Sequence, residues 1–174
     1  MLPNPINIRK MTENDYAIMA KWLSTKEVLE FYGDVNSPFS LAQVKQKYEP
    51  RVLGESPVSS FIVELNHLPI GYMQYYIIKA NDQKEFGYTE NQVIYGIDQF
   101  IGYPSLFNKG YGTIMVRHFI DFIINTTDAE VIIVDPEISN TRAIRCYEKC
   151  GFSIVKKIQN ESHFLMEINF VKAN

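Results

Sequence analysis

The stretch NKGYGT, Asn108–Thr113, sets two glycines one residue apart immediately before IMVRHFIDFII, an apolar run that reads as a helix. The fold depends on what those glycines are for. A helix N-terminus carries unpaired N–H groups and a partial positive charge, so it receives anions. Glycine lets the backbone come close to such an anion, because no Cβ stands in the way. The alternative is a plain loop-to-helix turn that binds nothing, and G-x-G alone does not separate the two. Spacing does remove two familiar phosphate turns. A P-loop requires four residues between its glycines and then a Gly-Lys pair. A dinucleotide fingerprint requires Gly or Ala where Met115 stands.

Working outward, the run SSFIVELNHLPIGYMQYYIIK reads as two strands around a turn at Asn66–Pro69, rich in β-branched and aromatic residues. Residues 81–91 read as a polar loop, and QVIYGIDQF as a third strand. Beyond the apolar helix, EVIIVD is a compact buried strand ending at Pro136. SNTRAIRCYEKC is a last helix stopped by Gly151, and FSIVKKI and HFLMEINF are two closing strands. Near the start, INIRK is a short strand followed by Thr12 and Asp15 in capping-box spacing and a helical stripe of Tyr16, Met19, Ala20 and Leu23. KEVLEFYG is a second helical piece closed by Gly33. SLAQVKQKYEP is a third, opened by the Ser40/Gln43 spacing and expected to stop at Pro50. The central βαβ unit demands one parallel strand pair, and the hairpins beside it demand antiparallel ones. The expected fold is α/β (α+β), with a mixed, mostly antiparallel twisted sheet and helices on both faces.

The chain has 174 residues and is expected to be a single domain, residues 1–174. No apolar run reaches the ~20 residues of a membrane span, and the N-terminal MLPNPINIRK lacks the apolar core of a signal peptide. The expectation is a soluble cytoplasmic protein that does not associate with membranes. Seventeen basic residues stand against 20 acidic ones, a formal charge of −3, which gives no support to nucleic-acid binding and weakly suits a cationic small molecule. Cys146 and Cys150 have no further Cys or His in register, so they read as reduced thiols near a core, with no metal site.

The order strand, loop, glycine turn, helix, strand, then N-x-x-A-I-x-x-Y-x-K-x-G-F, resembles the GNAT superfamily of N-acetyltransferases. In that family a turn written [QR]-x-x-G-x-[GA] wraps the pyrophosphate of acetyl-CoA. Here it is FNKGYG, with Phe107 in place of the polar residue. The resemblance implies a backbone cradle for acetyl-CoA at Lys109, Gly110, Tyr111, Gly112 and Thr113, and a CoA contact at Asn140. Ser139 or Asn140 serves equally well as a helix N-cap. A closer likeness rests on WLSTKEVLEFYG, YGIDQFIG and VDPEISNTRAIRCYEKCGF. These are similar to the aminoglycoside 6'-N-acetyltransferases, over nearly the whole chain.

That likeness implies acetyl transfer from acetyl-CoA to the 6'-amine of an aminoglycoside, by direct attack in a ternary complex, and with it antibiotic resistance. The chemistry of the residues agrees. An alkylamine with a pKa of ~10.4 is neutral in about one molecule in a few thousand at pH 7, so the ammonium must be bound and then stripped of a proton. The resemblance assigns Asp98 as base and amine ligand, and Asp135 as holder of a second amine. Each alone is also a plausible turn-capping aspartate. Tyr147 is implied as the residue that protonates or hydrogen-bonds the leaving thiolate, its alternative being a buried helix aromatic. Tyr32, in EFYG, is implied to stack on a sugar ring. Gly96 is expected to form a bulge that frees a backbone N–H for the developing oxyanion. Asp82, Glu85 and Glu90 could draw further ammonium groups, with Phe86 or Tyr88 as platforms, or simply be solvated. The histidines, His67, His118 and His163, match no role in the family. Two other readings use the same donor site: an acetyltransferase for a protein N-terminus or a small polyamine, or a CoA-binding module without activity.

Overall fold

The computed structural model of the chain describes residues 6–170. Its strands are Ile6–Lys10 (β1), Ser59–Leu65 (β2), Leu68–Ile77 (β3), Ile94–Ile101 (β4), Val131–Val134 (β5), Ser153–Ile158 (β6) and His163–Asn169 (β7). They are hydrogen-bonded in the order β1-β2-β3-β4-β5-β7-β6. The helices are Tyr16–Trp22 (α1), Lys26–Tyr32 (α2), Leu41–Val52 (α3), Ala80–Phe86 (α4), Tyr111–Thr126 (α5) and Thr141–Lys149 (α6). β1 with β2, β5 with β7 and β6 with β7 run antiparallel, and β4 with β5 runs parallel, as expected of a mixed sheet. Parallel neighbours need a long crossover, and α5 supplies it. β5 is buried at all four positions, which is why VIIV is apolar throughout rather than alternating. Among the described residues no helix is long and apolar enough to cross a membrane.

The chain divides into two compact units. The first comprises residues 6–74 and 99–115. Its core gathers Met19, Trp22, Leu23, Val44, Tyr48, Ile62 and Tyr72, all fully or almost fully buried. The β2–β3 hairpin turns on two residues, Asn66 and His67, both at positive φ (50° and 65°), the geometry that matches the twist of the flanking strands. α3 opens on the expected capping box: Ser40 N donates to Gln43 Oε1 at 2.8 Å and Gln43 N to Ser40 Oγ at 3.2 Å. It does not stop at Pro50 but runs to Val52. A proline so near the C-terminus forfeits one N–H bond and leaves the last turn closed by Leu53 N on Glu49 O. Arg9 grips Asp15 with two bonds of 2.8 Å and reaches Glu64 Oε1 at 2.7 Å. Burial pushes the Asp15 carboxyl up, but the bonds from Arg9 and Thr12 outweigh it and hold that carboxyl below its usual range.

The second unit comprises residues 75–98 and 116–170. Ile78, Ile94, Val131, Ile133 and Leu165 form one buried cluster, and α5 buries Val116, Phe119, Ile120 and Ile123. Residues 81–91, expected as a polar loop, begin instead with α4. Gln83 holds the helix in place: its buried side chain donates to Ile78 O at 3.0 Å and Gln92 O at 3.1 Å. Gly87, at φ 90°, ends it in the left-handed conformation.

Gly71 in the first unit has the tightest backbone approach: a Cβ there would meet the Phe100 carbonyl oxygen at 2.5 Å and Met115 Cε at 3.1 Å. A main-chain oxygen in a sheet cannot step aside. Gly71→Ala is therefore expected to lower unfolding stability by about 2–4 kcal/mol, measured as a reduced denaturant midpoint with an unchanged slope.

Candidate active site

The parallel register of β4 and β5 pairs Ile94 with Val131, Tyr95 with Ile132 and Gly96 with Ile133. Asp98 stands two residues beyond Gly96, and Asp135 two beyond Ile133. Side chains repeat a strand face every two residues, so both carboxylates project from the face that Gly96 and Ile133 share. The β4–β5 pairing is regular up to Gly96, its last paired residue, and the bonds Ile78 N to Ile94 O and Gly102 N to Ile70 O keep one β3–β4 register on either side of it, so the expected bulge is not formed. The glycine has another cause. A Cβ on Gly96 would lie 2.7, 2.8 and 2.9 Å from Cε2, Cζ and the hydroxyl of Tyr76. The bond from Ile78 N to Ile94 O fixes an antiparallel register in which Tyr76 stands opposite Gly96, and its ring lies across the vacated space.

The Tyr76 hydroxyl donates a hydrogen bond to Asp98. Burial first, then the negative charges of Asp98 and Asp135, then that hydrogen bond and Asp82, drive the phenol far above its ordinary range. Asp135 is raised from 3.8 to about 6, by burial first and by the charge of Asp98 second; His163 and the Gln159 amide, 3.2 Å from Oδ2, pull it back. Beside them lies a cavity of about 160 Å³ lined by Tyr76, Ile78, Asp82, Phe86, Ile133 and Asp135. Two of the acidic-segment candidates, Asp82 and Phe86, are thus carried to Asp135 by α4. Others are not: Tyr88 bonds Glu167, the Glu85 carbonyl accepts from Lys156 Nζ at 2.9 Å, and Glu90 is exposed. Two members of the cluster were missed in the sequence. Tyr76 looks like any strand aromatic until its register with Gly96 is known, and His163 acts only through its field on Asp135.

The remaining candidates sit as follows. α5 begins at Tyr111, and its first closed bond in that turn is Ile114 N to Gly110 O at 3.2 Å. The amides of Tyr111 and Gly112 fall in the first turn, where a helix leaves N–H groups without intrahelical partners. Gly110 is exposed at φ 84°, and nothing lies within 4 Å of where its Cβ would be, so an anion can approach the backbone; Lys109 is exposed beside it. This suits the diphosphate of a CoA thioester. Phe107, the departure from the usual turn, packs on the first unit's core. Asn140 is the N-cap of α6, its side chain accepting from Ala143 N at 3.1 Å.

Tyr147 lies two residues before the end of that helix, where the chain stops in a paired motif: Phe152 N bonds Tyr147 O at 3.1 Å and Gly151 N bonds Glu148 O at 3.0 Å, with Gly151 at φ 98°. The buried Tyr147 ring meets Phe152 at 5.6 Å between centroids. Tyr32 belongs to the first unit, half-buried with its ring 4.6 Å from that of Phe100.

The sequence model of the acetyltransferase (GNAT) domain matches residues 11–160. The chain belongs to the GNAT acetyltransferase family. Within that family it is 37% identical over 147 residues to the aminoglycoside N(6')-acetyltransferase type 1 of Klebsiella pneumoniae, a match covering 84% of this chain and 73% of that protein. The crystal structure of the aminoglycoside acetyltransferase AAC(6')-Ib in complex with coenzyme A has a TM-score of 0.78 to it at 33% identity, over 94% of each chain. The complex of the same enzyme with coenzyme A and kanamycin scores 0.77 at 32% identity, again over 94% of each chain.

The raised carboxyl has a measurable consequence. Asp135 binds its proton more tightly folded than unfolded, so its contribution to stability is complete below pH 3.8 and lost as pH rises through about 6. The stability of Asp135→Asn relative to wild type is expected to improve by about 1–2 kcal/mol between pH 4 and pH 7, solvent screening keeping it below the full shift. Denaturant titrations of both proteins at the two pH values measure it.

Proposed function

We propose that the protein transfers the acetyl group of acetyl-CoA to the 6'-amine of aminoglycoside antibiotics, by direct attack in a ternary complex, and so confers resistance. The observation that carries this reading is the pair of carboxylates, Asp98 and Asp135, set at equal offsets beyond the β4–β5 register in a chain 37% identical to an aminoglycoside N(6')-acetyltransferase. The whole chain is read as one N-acetyltransferase domain, with a polycationic small molecule as its partner.

Acetyl-CoA supplies an activated acetyl thioester. Lys109 and the backbone of Gly110, Tyr111, Gly112 and Thr113 would hold its diphosphate, and Asn140 would combine its capping role with a contact to the same molecule. Asp98 binds the 6'-ammonium and takes its proton, leaving the amine lone pair free for attack. Asp135 receives a second ammonium. A cation there relieves the repulsion between the two carboxylates, so aminoglycoside binding lowers the Asp135 pKa and releases a proton near pH 6. Asp82 lines the same cavity and adds negative charge, and Phe86 offers a ring face. Tyr32 stacks on a sugar ring, and Tyr147 donates a proton to the departing thiolate.

The test is release of CoA thiol when purified protein meets acetyl-CoA and kanamycin, against a 6'-hydroxyl aminoglycoside as control. Rapid release with kanamycin alone is the expected result, and release with neither removes the acceptor assignment. Asp98→Asn is expected to lower kcat by about 10²–10⁴-fold with acetyl-CoA affinity unchanged. Tyr147→Phe is expected to slow single-turnover acetyl transfer more than it weakens either substrate's binding.

A further inference from the structure

We infer that Tyr76 is a positioning residue for Asp98: seated in the space left by Gly96, its hydroxyl donates to one oxygen of the Asp98 carboxylate and leaves the other to face the acceptor amine. The inference deepens the proposed function and takes from it that Asp98 is the base.

The geometry begins with a cost. Glycine inside a strand gives up side-chain packing and backbone entropy, so a strand keeps one where something else must come close. Three atoms of Tyr76 do so here, all nearer to the Gly96 Cβ position than carbon contacts allow. The ring is thereby pinned across the strand toward the residue two places on, which is Asp98. Any other residue at 96 would push the ring away from it.

The charges then fix the direction of the bond. The hydroxyl is faced by Asp98 of β4, Asp135 just beyond β5 and Asp82 of α4, and Asp135 is in turn faced by His163 of β7. Among three acidic groups a buried phenol keeps its proton, so toward a carboxylate it can only donate, and it has one proton to give. That proton goes to Asp98, while Asp135 takes its hydrogen bond from Gln159. A donor aimed at a carboxylate favours the ionised form. Tyr76 thus favours the charged form of Asp98 beside a second carboxylate, and holds it in one orientation.

The test uses Tyr76→Phe, Gly96→Ala and the double variant, with kanamycin and acetyl-CoA as substrates. Tyr76→Phe is expected to lower kcat about ten- to a hundredfold, to leave KM for acetyl-CoA within about twofold, and to move the acidic limb of the kcat/KM profile to higher pH. Gly96→Ala should do the same from a position that bears no functional group. In the double variant it should add little, because both act through one hydroxyl. Wild-type kcat and pH profile in Tyr76→Phe, or fully additive losses in the double variant, would overturn the inference.

A second readout needs no turnover. The Asp98 carboxyl carbon, followed by NMR titration, is expected to titrate about one pH unit higher in Tyr76→Phe than in wild type, and coincident curves overturn the assignment. If wild type fails to acetylate kanamycin while the two titrations still differ, the acceptor is wrong and the positioning role stands.

Discussion

Everything at the candidate site follows from one constraint, the parallel pairing of β4 with β5. Two strands in parallel register carry their side chains in step. Positions at equal offsets beyond the last paired residues, Gly96 and Ile133, are therefore neighbours, and here both carry aspartate. Antiparallel strands would have sent the two carboxylates to opposite ends of the pair. The pairing also demands a crossover, and the crossover helix α5 opens with the glycine turn that has the features of an anion receptor. One topological requirement thus accounts for the parallel pairing of β4 with β5, for the apolar run of β5 and for the crossover helix α5.

Setting two carboxylates together is unfavourable in the absence of a cation, and the second unit limits the repulsion in three ways. The Tyr76 hydroxyl stabilises one, Gln159 and the field of His163 ease the other, and the burial that raises Asp135 lets it shed its charge near pH 6. A ligand with several ammonium groups would supply what these only approximate. The site is in this sense an unbalanced charge pattern, and under the proposed function a preference for substrates with several ammonium groups would have an electrostatic origin before any shape is considered.

Most of this was legible in the sequence because the signals were local. The Ser40–Gln43 capping box, the Gly151 helix stop, and the alternation of strand and helix can be read within a few residues; Asp98, read as a strand end, lies instead within β4, which runs on to Ile101. What could not be read depended on partners distant along the chain. Gly96 offered two meanings, bulge or close approach, and only its position opposite Tyr76 selects the second. α4 is seven residues long and is held by Gln83 reaching Ile78 and Gln92, contacts that no propensity within residues 80–86 foretells. Pro50 looked like a helix end because the rule for proline concerns helix interiors, whereas here the helix had a single turn left to complete.

The stop at the end of α6 joins two properties usually kept apart. Tyr147 gives its carbonyl to Phe152 N and its ring to the Phe152 side chain, so the residue nominated to release the thiol is also a structural member of the helix terminus. Gly151, with no side chain and no chemistry of its own, holds the backbone turn that makes both contacts possible. The two contacts use the carbonyl and the ring, whereas the proposed role uses the hydroxyl, so selection on the helix end and selection on turnover would act on different atoms of one residue.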